Sequence, residues 1–172
     1  FYYSEGEALL IGSAVDTKLT GEDGQFEKEY YISDQLKPGE AVMSVIHEVF
    51  DLMLDWFNNE KLDINKPSNY SLLDFTKEYG DSLENYNEYV INACNNQSYC
   101  KSMSEEVRIS RIINNSKKEG KVGDLYFKEL INSYGKTILS PSQNEIVNNV
   151  VRSLRIHFPN YFERDLNKIG DN

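Results

Sequence analysis

His47, Glu48 and Asp51 are the residues whose types and spacing come nearest to a catalytic metal site. On a helix, residues four apart share a face, so His47 and Asp51 would project side by side with Glu48 placed to act as a base. A pair of histidines at that spacing is a strong zinc signal. Here the second ligand is a carboxylate, a third is wanting, and the other histidine, His157, lies far along the chain beside Pro159. That shortage favours an ordinary helix histidine among acids, so no metal and no other cofactor is expected. A metal-dependent hydrolase centred on His47, Glu48 and Asp51 stands as the enzymatic alternative.

Other reaction chemistry has less to build on. There is no Gly-x-Ser-x-Gly elbow, and a Cys94 or Cys100 nucleophile would have to borrow His47 or His157 from a distant stretch. Gly21 and Gly24 flank Glu22 and Asp23, whose charges repel phosphate, so they do not make a phosphate loop. The same acids with Asp16 offer at most a weak calcium ligand set without EF-hand spacing. Asp51 and Asp55 lie one helical turn apart, a spacing more often found on a solvated helix face than in a carboxylate pair that does chemistry. Cys94 and Cys100 enclose five residues and could close as a disulfide in an oxidising compartment or stay as thiols in the cytoplasm.

The element that must position most of these groups runs from Glu40 to Asn58. Val42, Val45, Ile46, Val49, Phe50, Leu52, Met53, Trp56 and Phe57 fill a broad apolar arc at helical periodicity, leaving a narrow polar strip of Glu40, Ser44, His47, Glu48, Asp51, Asp55 and Asn58. This is a core helix with an acidic seam. Before it, Ala8 to Leu19 reads as a strand or a short helix. Phe26 to Ser33 alternates like a strand, and together they predict an N-terminal β-hairpin across Thr20 to Gly24. After it, capping spacings at Ser71 with Asp74, Asp81 with Glu84, Ser102 with Glu105, Asp124, and Ser142 with Glu145 open successive short helices. The expected fold is α+β, helix-dominated: a hairpin followed by about six helices packed around helix 40–58. The chain is expected to form a single globular domain over 1–172, with 1–39 as its hairpin-containing acidic region and 40–172 as its helical region.

The chain has 172 residues and a net charge of −10, and the charge is lopsided. Residues 1–60 hold 13 acids against 3 lysines, whereas the remaining two thirds are nearly balanced. Such a field repels phosphate backbones and anionic membranes and attracts basic proteins. Direct nucleic-acid binding and membrane association are therefore not expected, and no apolar run approaches the roughly 18 residues of a membrane span. Arg108, Arg111, Lys117 and Lys118, and separately Arg152, Arg155 and Arg164, are basic helix faces that could turn toward the acidic third.

These features predict a non-enzymatic, acidic protein-binding module. Its partner would be a basic protein, and the expected contact carboxylates are Glu22, Asp23, Glu27, Glu29, Glu40, Glu48, Asp51 and Asp55. Charge and size fit an inhibitor or immunity-type protein that neutralises a cationic enzyme such as a nuclease toxin. A cytoplasmic location goes with free thiols; a secreted or periplasmic structural protein closed by a Cys94–Cys100 bridge is the third reading.

Overall fold

The computed structural model describes residues 4–34, 36–97, 102–109 and 122–161, the side chains of Arg108 and Ile109 excepted. Its elements are α1 (Glu5–Thr20), α2 (Gln25–Glu29), β1 (Tyr30–Ile32), α3 (Glu40–Lys61), α4 (Leu72–Tyr79), a 3-10 turn (Leu83–Tyr86), α5 (Asn87–Asn96), α6 (Glu105–Ile109), α7 (Val122–Ser133), β2 (Thr137–Leu139) and α8 (Pro141–His157). The fold is helix-dominated with a small two-stranded sheet. It divides into two compact units: one drawn from the two ends of the chain, Phe1–Asp34 with Gly135–Asn172, the other from Gln35–Tyr134.

In the first unit, Ile11, Ala14, Val15 and Leu19 recur at helical spacing and are buried, which resolves 8–19 as helix. They pack with Phe26, Tyr30, Leu139, Val147 and Val151 into one apolar cluster. The hairpin expected here does not form. Thr20 to Gly24 connects two helices, and β1 pairs in parallel with β2, Tyr30 opposite Thr137 and Ile32 opposite Leu139. A two-residue turn cannot join parallel strands; they need a long crossover, here the whole span between Ile32 and Thr137. Of the stretch Phe26 to Ser33 expected as a strand, Phe26 to Glu29 is helix α2 and only Tyr30–Ile32 is strand, and local alternation held no information about its remote partner. At the other end, Ser140 rather than Ser142 caps α8, because Pro141 supplies the preset φ of a first helical residue and Gln143 closes the box onto the Ser140 N–H. The helix ends before Pro159, as its ring requires.

In the second unit, α3 contributes Val45, Ile46, Val49, Phe50, Met53 and Phe57 to a core completed by Tyr70, Leu72, Phe75, Leu83, Tyr86, Val90, Ala93, Cys94, Tyr126, Phe127 and Ile131. The helix runs past Asn58 to Lys61. The Ser71–Asp74 capping box opens α4 as expected. Gly80 ends it at φ 104°, where a side chain would be strained and its Cβ would also run into the Asn85 amide. Asn85 is held there by its own bond to the Ser82 N–H, so Ser82 with Asn85, not Asp81 with Glu84, starts the next turn. Asp124 lies inside the first turn of α7 rather than before it, accepting from Ser82 Oγ and the Leu83 N–H at 2.9 Å each. Thus α3 organises the second unit, whereas α1 and α8 pack on each other in the first.

Candidate functional site

The eight predicted contact carboxylates fall into two sets. Glu22 and Asp23 follow α1 and Glu27 and Glu29 lie on α2, all four exposed on the first unit and none on a hairpin. Glu29 accepts from Gln25 Nε2 at 2.7 Å and from Thr17 Oγ1 at 3.3 Å. Nearby, the Lys18 ammonium lies 4.2 Å from the centre of the Phe26 ring and also donates to Asn148. Burial holds it below its ordinary value, with Glu27 partly restoring it. Arg155 turns to the α1 backbone, donating to the Lys18 carbonyl at 3.2 Å. Arg152 is exposed. Arg111, Lys117, Lys118 and Arg164 lie outside the described residues.

On the second unit, Glu40, Asp51 and Asp55 are exposed along α3, while Glu48 is half-buried and accepts from Asn96 Nδ2. His47 is exposed at its edge but anchored: its Nε2 meets Tyr126 Oη at 3.0 Å, and the two rings stand edge to face at 5.7 Å. Burial, with the Glu129 carboxylate behind it, pushes the Tyr126 phenol up. Among the described residues, the buried Oε1 of Glu129 has no hydrogen-bond partner. Among the described residues no group of three or more His, Cys, Asp and Glu is gathered to hold a metal ion. No local pattern around His47 points to a tyrosine, since the two residues are far apart in the chain. Cys94 is buried in α5, and Cys100 lies outside the described residues.

The second unit also carries a groove of about 490 Å³ that periodicity did not announce. Trp56 of α3 forms one wall, and Glu84 to Tyr89, spanning the 3-10 turn and the start of α5, forms the other. Tyr86 and Tyr89 lie 6.2 Å apart and 24° from parallel, and the Trp56 ring stands across both at 6.4 Å, at 74° and 88°. Trp56 is braced from behind by Phe75 and Tyr79 and by its indole N–H donating to Glu60 Oε1 at 3.2 Å. Tyr86 is buried, its hydroxyl donating to the Gly80 carbonyl at 2.7 Å; burial, with Asp81 and Tyr89 nearby, pushes its phenol up to about 12. Glu84 and Glu88 are exposed on the rim. Trp56 and Tyr86 were legible as apolar-face residues; that the two faces meet around a cleft rather than closing completely depends on the side chains that pack behind them.

Compared with protein-family models, curated proteins and solved structures, the chain matches none. The class defined by the fold is therefore a helix-dominated α+β protein with a small parallel sheet, and no described helix is long and apolar enough to cross a membrane.

Proposed function

We propose that the chain is a non-enzymatic, acidic protein-binding module for a basic partner, acting as an inhibitor or immunity-type protein toward a cationic enzyme such as a nuclease toxin. The observation that carries this reading is the succession Asp51, Asp55, Trp56 on α3. The helix that builds the core of its unit turns carboxylates to water and, at the next residue, offers an indole walling an acid-rimmed groove. Charge of one sign steers and selects a basic partner, and an aromatic anchor supplies contact area at low entropic cost. Among the described residues, the ion pairs of this unit engage Glu60, Asp74, Glu78, Asp81 and Asp124, and Asp51 and Asp55 are exposed.

The test is calorimetric titration of a panel of basic nucleases with the purified chain, alongside their residual activity. Stoichiometric binding of at least one nuclease, with loss of its activity, is expected at low salt. Binding should fall steeply toward 1 M salt, where screening acts over roughly 3 Å. Asp51→Asn with Asp55→Asn should weaken it. Binding indifferent to salt and to both substitutions, or no binding by any member of the panel, overturns the reading.

A further inference from the structure

We infer that Leu62 and Ile64, at the C-terminal end of α3, are the apolar anchors by which the chain docks on a basic protein, entering an apolar recess bordered by lysine or arginine; the inference rests on the proposed function for the charge of the partner and goes beyond it in naming the anchors and the surface they enter. Asp51, Asp55, Asn58 and Leu62 follow one another at steps of four, three and four residues, which places them within about 60° of one another around the helix. Leu62 keeps helical backbone, φ −81° and ψ −11°, so this face runs through it unbroken. Asp51, Asp55 and Asn58 are exposed. Leu62 is 84% exposed and Ile64 94%, the two most exposed aliphatic side chains among the described residues. The outward face of the core helix thus passes from carboxylates to an apolar tip.

The tip is held out by its own hydrogen bonds. The Leu62 N–H donates to the Asn59 carbonyl at 3.1 Å, the Asp63 N–H to that of Glu60 at 3.0 Å and the Lys66 N–H to that of Asp63 at 3.0 Å, while Asp63 Oδ1 accepts from the Asn65 N–H at 2.9 Å. Lys66 fastens the far end of this turn to α4 through Glu78. Side chains presented in one fixed arrangement lose little freedom on docking, so their burial counts toward affinity. Charge decides what receives them. From Asp51 to Ile64 the acids are Asp51, Asp55, Glu60 and Asp63 against Lys61, whose ammonium lies 5.7 Å from the centre of the Phe57 ring. Asp63 stands between the two anchors. A purely apolar pocket or a lipid interior would strip it of water without a counter-charge, and the same face of a second copy would set like charges together. A recess rimmed by lysine or arginine takes the apolar pair and answers the carboxylates at once.

The probe is a synthetic amphipathic peptide of lysine and leucine, titrated at low salt into the full chain labelled with nitrogen-15, with a peptide of the same charge carrying serine for leucine as control. Amide shift changes concentrated on the exposed face of Asp51 to Asn58 and on Leu62 to Asn65 are expected, with at least about tenfold weaker binding of the serine peptide. Leu62→Ser with Ile64→Ser should lower affinity for the lysine-leucine peptide at least about tenfold, since each buried aliphatic side chain is worth about that factor or more. Asp51→Asn with Asp55→Asn should lower it by roughly threefold. Leu9→Ser, at a 68% exposed leucine of the first unit, should leave it unchanged. All these positions are exposed, so circular dichroism should show the fold retained in each variant. Shift changes elsewhere, equal binding of the serine peptide, full affinity in Leu62→Ser with Ile64→Ser, or no binding of either peptide overturns the inference. So does a dimer in sedimentation that Leu62→Ser dissociates, because a second copy would then be the occupant. The outcome is separable from that of the nuclease panel. Peptide docking at Leu62 and Ile64 while no basic nuclease binds would sink the proposed function and leave this inference standing; a nuclease held with full affinity by Leu62→Ser with Ile64→Ser would do the reverse.

Discussion

The Lys66 ammonium meets Glu78 Oε2 at 2.6 Å, and the Tyr70 hydroxyl donates to the same oxygen at 2.9 Å. This ties the Asp63–Lys66 turn to α4 and seats the cation over tyrosine faces. The Lys66 bond, followed by that from Tyr70, holds the Glu78 carboxyl below its ordinary 4.5, and Glu78 in turn raises Lys66 above its ordinary 10.5.

A pH dependence follows from both signs. The carboxylate's contribution is present above 4.5 and is lost as pH falls through the lower folded value; the lysine's is present below 10.5 and is lost as pH rises through its higher one. Thermal melts should therefore show a plateau between these limits with a fall on the acid side. In Glu78→Gln that acid-side fall should be shallower. A parallel acid limb in both proteins would refute the linkage.

Alkaline titration should resolve two late tyrosines. Burial and hydrogen bonding to Glu60 and Glu78 push Tyr79 up to about 12, and burial does the same to Tyr86. Absorbance near the tyrosinate band should show a late step that shrinks in Tyr79→Phe and in Tyr86→Phe. Because raised values favour the protonated phenol in the folded state, their contribution to stability disappears as pH rises from 10 to about 12.

Phe75 and Leu73 are two residues apart on α4 with opposite fates. Phe75 is fully buried among Trp56, Phe57 and Tyr79, whereas Leu73 is 51% exposed. Phe75→Ala should cost about 3–5 kcal/mol by denaturant unfolding, combining lost transfer energy with a cavity. Leu73→Ala should change stability by no more than about 0.5 kcal/mol.

The start of α8 offers a sharper test. Ser140 accepts from the Gln143 N–H at 3.2 Å and Gln143 Oε1 returns a bond from the Ser140 N–H at 2.9 Å. Ser140→Ala should cost about 1 kcal/mol, and Ser142→Ala, inside the first turn, clearly less. Equal losses would return the cap to Ser142.

Helix positions and apolar faces were readable because they are written in near neighbours. Val45, Val49 and Met53 follow one another at helical spacing, and Ser71 finds Asp74 three residues on. The Ser142–Glu145 assignment failed because Ser140–Gln143 has the same spacing, and only the Pro141 ring decides between them. At the candidate site, exposure of Asp51 and Asp55 was legible from the polar strip of α3. The groove was not, since an aromatic residue on an apolar face looks the same whether its ring is wholly covered or left as a wall.

By itself the sequence determined a helix-dominated, acid-rich chain with α3 as a core helix, because periodicity and charge are local sums over side chains. Tertiary structure alone decided that Tyr30–Ile32 pairs with Thr137–Leu139, that His47 meets Tyr126, and that Trp56 faces Tyr86 and Tyr89 across a cleft. Those are contacts between distant segments, selected by how whole elements pack, and no pattern confined to one segment specifies its partner in another.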